Sequence, residues 1–264
     1  MASALAATLQ PKGWRVTGTY RTAAPSGVEA VAFDGRASPA LHAALAQADA
    51  VLSSIPPDDA GDPALRALGA HLGRPGVWTG YLSTTGVYGD RGGAWVDEDT
   101  PIAPLSVQAQ RRAAAEDGWR SIGAHVFRLP GIYGPGRSAL DRLRAGEARR
   151  VVKPGLVHSR IHVDDIATAL AASIAHGGPA QTWNVTDDAP SPPQDVIVYA
   201  AQLLDMPPPP ETPYDPAAMA PQARRFFEES RRVSNARLKA ALGWRPAYPS
   251  YREGLAAILA QETP

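Results

Sequence analysis

The sequence predicts an α/β protein built on an open parallel sheet, and three observations predict it. Strand-like and helix-like segments alternate along the chain of 264 residues, the pattern left by repeated βα units. The dipeptides Ser38-Pro39 and Asp62-Pro63 each place a capping residue before a proline, the signal that opens a helix. Ser83-Thr84-Thr85-Gly86-Val87-Tyr88-Gly89-Asp90 then crowds hydroxyls behind an apolar run at 77–82. In open α/β sheets, ligands bind just beyond the carboxyl ends of strands.

Taken in order, residues 2–10 read as a helix stopped at Gly13, and 14–20 and 28–33 as strands. Ser38 opens a helix to about 48, 50–55 is a short buried strand, and Asp62 opens the next helix. The strand ending at Leu82 leads into a turn-rich loop that reaches Pro104. A helix spans 106–119 and a strand 124–129. Beyond Gly136 the alternation weakens and proline rises, notably at 207–210, so 137–179 and 205–264 read as a smaller, substrate-covering part. Residues 1–136 form the main part, with 180–204 returning to it through a helix capped by Ser191. Asp164 and Asp165 read as caps of the helix that follows them. Asn235 caps a late helix that stops at Gly243, and a last helix starts near Ser250.

Composition narrows the classes. Lys plus Arg equals Asp plus Glu, 26 of each, which argues against nucleic acid or an anionic membrane as the main partner. The absence of cysteine removes disulfides, thiolate metal sites and cysteine nucleophiles. The six histidines show no metal-ligand spacing, so no metal is expected. The start of the chain lacks the basic and strongly apolar regions of a signal peptide, and no apolar run approaches membrane-spanning length. A soluble, cytoplasmic protein with a small-molecule substrate is the expectation.

STTGVYGD at 83–90, RLPGIYGPG at 128–136 and RIHVDDIA at 160–167, in this order, resemble the extended short-chain dehydrogenase/reductase family, the NAD(P)-dependent sugar epimerases and dehydratases. The stretch 234–255 also resembles that family's L-G-W-x-P ending. The resemblance implies a doubly wound, Rossmann-like sheet and a nicotinamide dinucleotide cofactor. It also marks two departures. The family's first strand and its G-x-G-x-x-G turn, which cradles the pyrophosphate, do not precede the strand at 14–20. The chain reads as starting inside the family's first helix, an N-terminal truncation. Loss of that central strand exposes two inner strand edges, whose buried unpaired groups would cost ~1–3 kcal/mol each.

The second departure concerns proton transfer. The family uses a Tyr and a Lys four residues apart on one helix face, within P-x-S-x-Y-x-x-x-K-x-x-x-E. Here Pro104, Ser106 and Glu116 fall in place, but Gln108 takes the Tyr position and Arg112 the Lys position. Glutamine donates no proton at a useful pKa, whereas Arg112 keeps its charge and suits a ribose or phosphate. Both are also ordinary residues for an exposed helix face.

The resemblance implies roles for the remaining site residues. Thr84 would hydrogen-bond the reacting oxygen, and Tyr88 and Tyr133 are the substitute acids, with packing beneath the site as the alternative. Arg21, with no acid beside it, suits a 2′-phosphate, so NADP is expected, with NAD as the alternative. Asp34 would meet the adenine amino group, although Asp34-Gly35 is equally a plain turn. Ser53, Ser54, Ile55 and Pro56 would line the cofactor ribose, with Ser83 close by. Pro130, Gly131 and Ile132 would face the nicotinamide. Tyr133, Arg137, His158 and Arg160 would face an anionic substrate; 158, 160 and 162 share one face if the segment is a strand. The resemblance also implies a homodimer through the helix at Ser106, whose amphipathicity core packing explains equally well.

Overall fold

The protein is described by a computed structural model covering residues 1–262, the side chains of residues 221 and 222 excepted. Its elements run α1 (Ala2–Leu9), β1 (Thr17–Tyr20), β2 (Glu29–Ala32), α2 (Pro39–Ala46), β3 (Ala50–Ser53), α3 (Pro63–Leu68) and β4 (Trp78–Thr84). Then come β5 (Trp95–Val96), α4 (Val107–Ser121), β6 (His125–Leu129), β7 (Gly131–Tyr133), α5 (Ala139–Arg144), β8 (Arg150–Val152), β9 (Arg160–His162) and α6 (Val163–His176). The chain ends through β10 (Thr182–Asn184), α7 (Pro193–Leu203), β11 (Glu211–Pro213), α8 (Pro221–Glu228), β12 (Arg232–Val233), α9 (Ala236–Leu242) and α10 (Tyr251–Glu262).

The caps explain several of these starts. Ser38 accepts the amide of Leu41, Asp62 those of Ala64 and Leu65, and Ser106 that of Ala109. Gly243 closes α9 in the left-handed region at φ 64°. Three expected caps serve elsewhere. Ser191 accepts from Arg160, and α7 opens at Pro192 without a side-chain cap. Asp165 accepts the amides of Ala247 and Tyr248, and Asn235 donates to the carbonyl of Thr186 and the carboxylate of Asp188. In each case a long-range partner outcompetes the local turn.

Contacts divide the chain into two units. The first comprises residues 1–87, 104–128 and 166–183; the second comprises 88–103, 129–165 and 184–264. Residues 180–183 therefore lie in the first unit, and 184–204 in the second.

The first unit holds a four-stranded parallel sheet in the order β10-β6-β4-β3 and a separate parallel pair, β1-β2. Among the described residues, no sheet hydrogen bond joins the two pieces. This is a Rossmann-like sheet in two parts. β4 and β6 are buried almost throughout, whereas β1 and β2 are half exposed. What ties the pair to the rest is side-chain packing. Val31 and Phe33 share a core with Leu41, Leu45, Leu68, Val51, Tyr81 and Trp119. Burial of such side chains contributes ~1.5–3 kcal/mol each.

The second unit holds short parallel pairs, β7-β9, β8-β11 and β5-β12. Its core gathers Leu140, Leu143, Ile197, Ala200, Tyr251, Leu255 and Ile258 from α5, α7 and α10. Tyr133 packs so closely on α10 that any side chain at Gly254 would overlap its ring and hydroxyl. α7 thus belongs to this core and not to the main sheet.

Candidate functional site

Four strand ends in the first unit carry predicted residues. At the end of β4, Thr84 is half-buried and its Oγ1 accepts the amide of Gly86 at 3.0 Å. That bond occupies a lone pair and leaves the hydroxyl hydrogen free to donate. Gly86 keeps this contact uncrowded: a Cβ there would lie 3.3 Å from Thr84 Oγ1.

Ser83 points the other way. Its Oγ donates to Glu116 Oε1 at 2.6 Å, so its side chain serves α4 rather than a cofactor. Glu116 is fully buried and also accepts from Arg128 Nη2 at 2.7 Å and from Arg120. The result is a buried carboxylate held by two guanidiniums and a hydroxyl, linking β4, α4 and β6. Such geometry is what lets a buried ion pair persist despite its desolvation.

Arg112 folds back onto β4. Its Nη1 donates to the carbonyl of Leu82 at 2.5 Å and to the Tyr81 hydroxyl at 3.1 Å, and its guanidinium lies 5.6 Å from the Tyr81 ring centroid. Tyr81 stacks on Trp119 at 5.4 Å, and burial pushes its hydroxyl up to about 12. Gln108 is exposed, with no side-chain partner among the described residues. The two family positions therefore separate: one side chain braces the strand end, the other faces solvent.

At the end of β1, Arg21 is exposed. At the end of β2, Asp34 Oδ1 accepts the amide of Arg36 at 3.1 Å, the turn form of the two readings offered for it. At the end of β3, Ser53 is 5% exposed and its Oγ has no partner among the described residues. Ser54 and Pro56 are exposed, while Ile55 packs against the core.

The other predicted residues lie in the second unit. Tyr88 is fully buried and its hydroxyl donates to Asn184 Oδ1 at 2.8 Å. Tyr133 is 9% exposed, donates to the carbonyl of Ser250 at 3.3 Å, and has its pKa raised by burial. Neither is built as a proton donor: both hydroxyls have committed their protons, and burial makes that of Tyr133 harder still to give up. Pro130 precedes β7, and Gly131 and Ile132 pair with Arg160 and Ile161 of β9. Arg137 is exposed and its backbone closes a turn on Gly134.

His158 is held neutral: burial, with Arg160 and Arg231 nearby, lowers its pKa to about 4, and its ring meets the edge of Phe226 at 4.3 Å. Arg160 donates through Nη1 to the carbonyls of His158 and Ser191 and to Ser191 Oγ. One arm of this guanidinium is thus spent on backbone. Asp187, whose amide donates to the Arg160 carbonyl at 2.8 Å, has its carboxyl pushed up to about 7 by burial, and its Oδ2 has no partner among the described residues. Sequence reasoning missed Asp187, Tyr81 and the linking role of Glu116. Only Glu116 carried a signal, as the acid that closes the helix pattern. Among the described residues, no cluster suits a metal ion, and no helix is long and apolar enough to cross a membrane.

No family model matches the sequence. A solved structure of a functionally unknown conserved protein from Silicibacter pomeroyi is 46% identical, with a TM-score of 0.91 over 99% of this chain and 95% of that one. A protein from Methylobacillus flagellatus assigned as an NAD-dependent epimerase/dehydratase is 28% identical, with a TM-score of 0.78 over 98% and 94%. The structural neighbours of this chain are thus NAD-dependent epimerase/dehydratases with a Rossmann fold. Within wider sequence space, it is 33% identical over 186 residues to a Streptomyces 3-diazoavenalumate denitrifying reductase, spanning 58% of that protein's length. It is 28% identical over 229 residues to Protein YeeZ of Escherichia coli, covering 81% of it.

The epimerase/dehydratase family implies a nicotinamide dinucleotide. The strand ends fit its adenosine half: Arg21 is free, and the buried, unpartnered Ser53 Oγ is an atom that a ligand hydroxyl would satisfy. Among the described residues, no Gly-rich strand-turn-helix serves its pyrophosphate.

Proposed function

We propose that this protein is an NADP-linked oxidoreductase or epimerase of the short-chain dehydrogenase/reductase type, acting on a small polar or sugar-derived substrate. The observation that carries this reading is Thr84, a half-buried hydroxyl at the carboxyl end of the central strand, with its own oxygen satisfied and its proton free. Arg21 supports NADP over NAD, since its strand end carries no acid for the ribose 2′-hydroxyl. The cofactor supplies or accepts hydride when bound. Arg21 and Ser53 would hold its adenosine half, and Thr84 would polarise the reacting group.

Proton delivery shapes the reading further. Gln108 offers no acid, and Tyr88 and Tyr133 are committed elsewhere. Any proton then comes from water or from the substrate. Replacement of a diazonium group by hydride fits such a site well: hydride adds to the aryl carbon, the C–N bond breaks, dinitrogen leaves, and no proton is consumed. Similarity to a reductase named for a diazo substrate supports including this class.

The Gln108 and Arg112 geometry favours a second reading, a non-catalytic dinucleotide-binding protein with a redox-sensing or scaffold role. Hydride transfer from 4-deuterated NADPH separates the two. Deuterium in the product of a carbonyl or aryl diazonium substrate with the natural chain supports the enzyme. Transfer only after Gln108→Tyr with Arg112→Lys identifies the natural chain as a binder.

A further inference from the structure

We infer that Arg36 is a second arm of a 2′-phosphate clamp whose first arm is Arg21. The inference rests on the NADP reading above and deepens it. β1 and β2 are parallel and in register, with Tyr20 opposite Ala32, and the amide of Phe33 donates to the carbonyl of Tyr20 at 2.8 Å. The two strands therefore end level, on the same edge of the pair. Arg21 follows the last residue of β1 directly. Arg36 follows β2 through the turn Phe33-Asp34-Gly35.

That turn is fixed in two ways. Gly35 sits at φ 99°, where a side chain would be strained, and Asp34 Oδ1 accepts the amide of Arg36. Asp34 is thereby partly used in setting the turn from which Arg36 departs. Adjacent strands lie about 4.8 Å apart, well within the reach of two arginine side chains that start from neighbouring strand ends. Both arginines are exposed, and neither has an ion pair or side-chain hydrogen bond among the described residues. Arg15, on the same ribbon but before β1, is instead paired with Glu29 and Gln47. The arginines at the carboxyl end are the ones left open.

Two guanidiniums at one strand edge match a phosphomonoester dianion. Each presents a planar fork to phosphate oxygens, and two forks balance its charge. A ribose 2′-hydroxyl, neutral and single, gains little from the second fork. Arg36 is thus a specificity-determining residue: it favours the phosphorylated nucleotide without serving the nicotinamide end.

The test titrates 2′,5′-ADP, 5′-AMP, NADPH and NADH against the wild-type chain, Arg21→Ala, Arg36→Ala and Arg36→Lys. The expected result is a roughly ten- to hundredfold weaker affinity of Arg36→Ala for NADPH and 2′,5′-ADP. NADH and 5′-AMP should change little, Arg36→Lys should recover part of the loss, and circular dichroism should show every variant folded. Arg36→Ala binding NADPH as tightly as wild type, while Arg21→Ala loses it, would overturn the second arm and leave the NADP reading intact. Equal affinity of wild type for NADPH and NADH, with no effect of either substitution, would overturn both. Binding of no nucleotide by the wild type would also overturn both.

Discussion

Glu116→Gln isolates the buried charge cluster behind the candidate site. Glu116 is 0% and Arg128 4% exposed on their side chains, so the pair is out of water on both sides. Removing one partner of a buried pair strands the other charge and costs about 3–5 kcal/mol. Glutamine keeps the shape and one acceptor oxygen, so the lower end, about 3 kcal/mol, applies. Arg120 is 36% exposed, and its part of the cluster adds at most ~1 kcal/mol. At roughly 2–4 °C per kcal/mol for a chain of this size, the midpoint should fall by about 6–12 °C. Thermal scanning and urea unfolding both measure it. Ser83→Ala, which loses one hydrogen bond, should cost only about 1 kcal/mol. Glu116→Leu with Arg128→Met should be more stable than Glu116→Leu alone, because no charge is then stranded. A midpoint for Glu116→Gln within a degree of wild type, or a double variant no better than the single, would refute the reasoning.

Asp187 gives a pH prediction. Burial lifts its carboxyl from 3.8 to about 7, so the folded state holds the proton more tightly. Its contribution is fully present below pH 3.8 and is lost as pH rises through about 7, with a slope of at most ~1.4 kcal/mol per pH unit. Asp187→Asn should therefore be more stable than wild type at pH 8 and indistinguishable from it at pH 4, by thermal midpoint. His158 works in the opposite sense, its contribution lost as pH falls from 6.5 towards about 4, and it is common to both chains. Tyr88→Phe leaves Asn184 Oδ1 buried without its donor and should cost about 1–3 kcal/mol in urea unfolding, with NADPH affinity unchanged. Hydrogen exchange should show the amides of β1 and β2 exchanging well before those of β4 and β6, which sit in the buried four-stranded sheet.

The fold was legible wherever a local signal agreed with the global one. Ser38-Pro39, Asp62-Pro63 and Ser106 opened their helices because each cap had an adjacent amide to accept. The failures share one cause. Ser191, Asp165 and Asn235 look like caps, yet their bonds run to partners far away in sequence, which local spacing does not encode. The same holds at the site. The motif placed Ser83 beside Thr84, but strand alternation turns Ser83 towards α4 and leaves Thr84 at the open end. Tyr88 and Tyr133 carried the right chemistry for an acid, and only the structure shows their protons committed inside the second unit. Arg36 carried no sequence signal, and only the register of β1 with β2 brings its strand end level with that of Arg21.

The central claim is that the strand ends of the first unit bind a phosphorylated nicotinamide dinucleotide. Titration of the wild-type chain with NADPH and NADH, followed by nicotinamide fluorescence, tests it most directly. The account predicts saturable, micromolar binding of NADPH and weaker binding of NADH. A flat response to both nucleotides would contradict it.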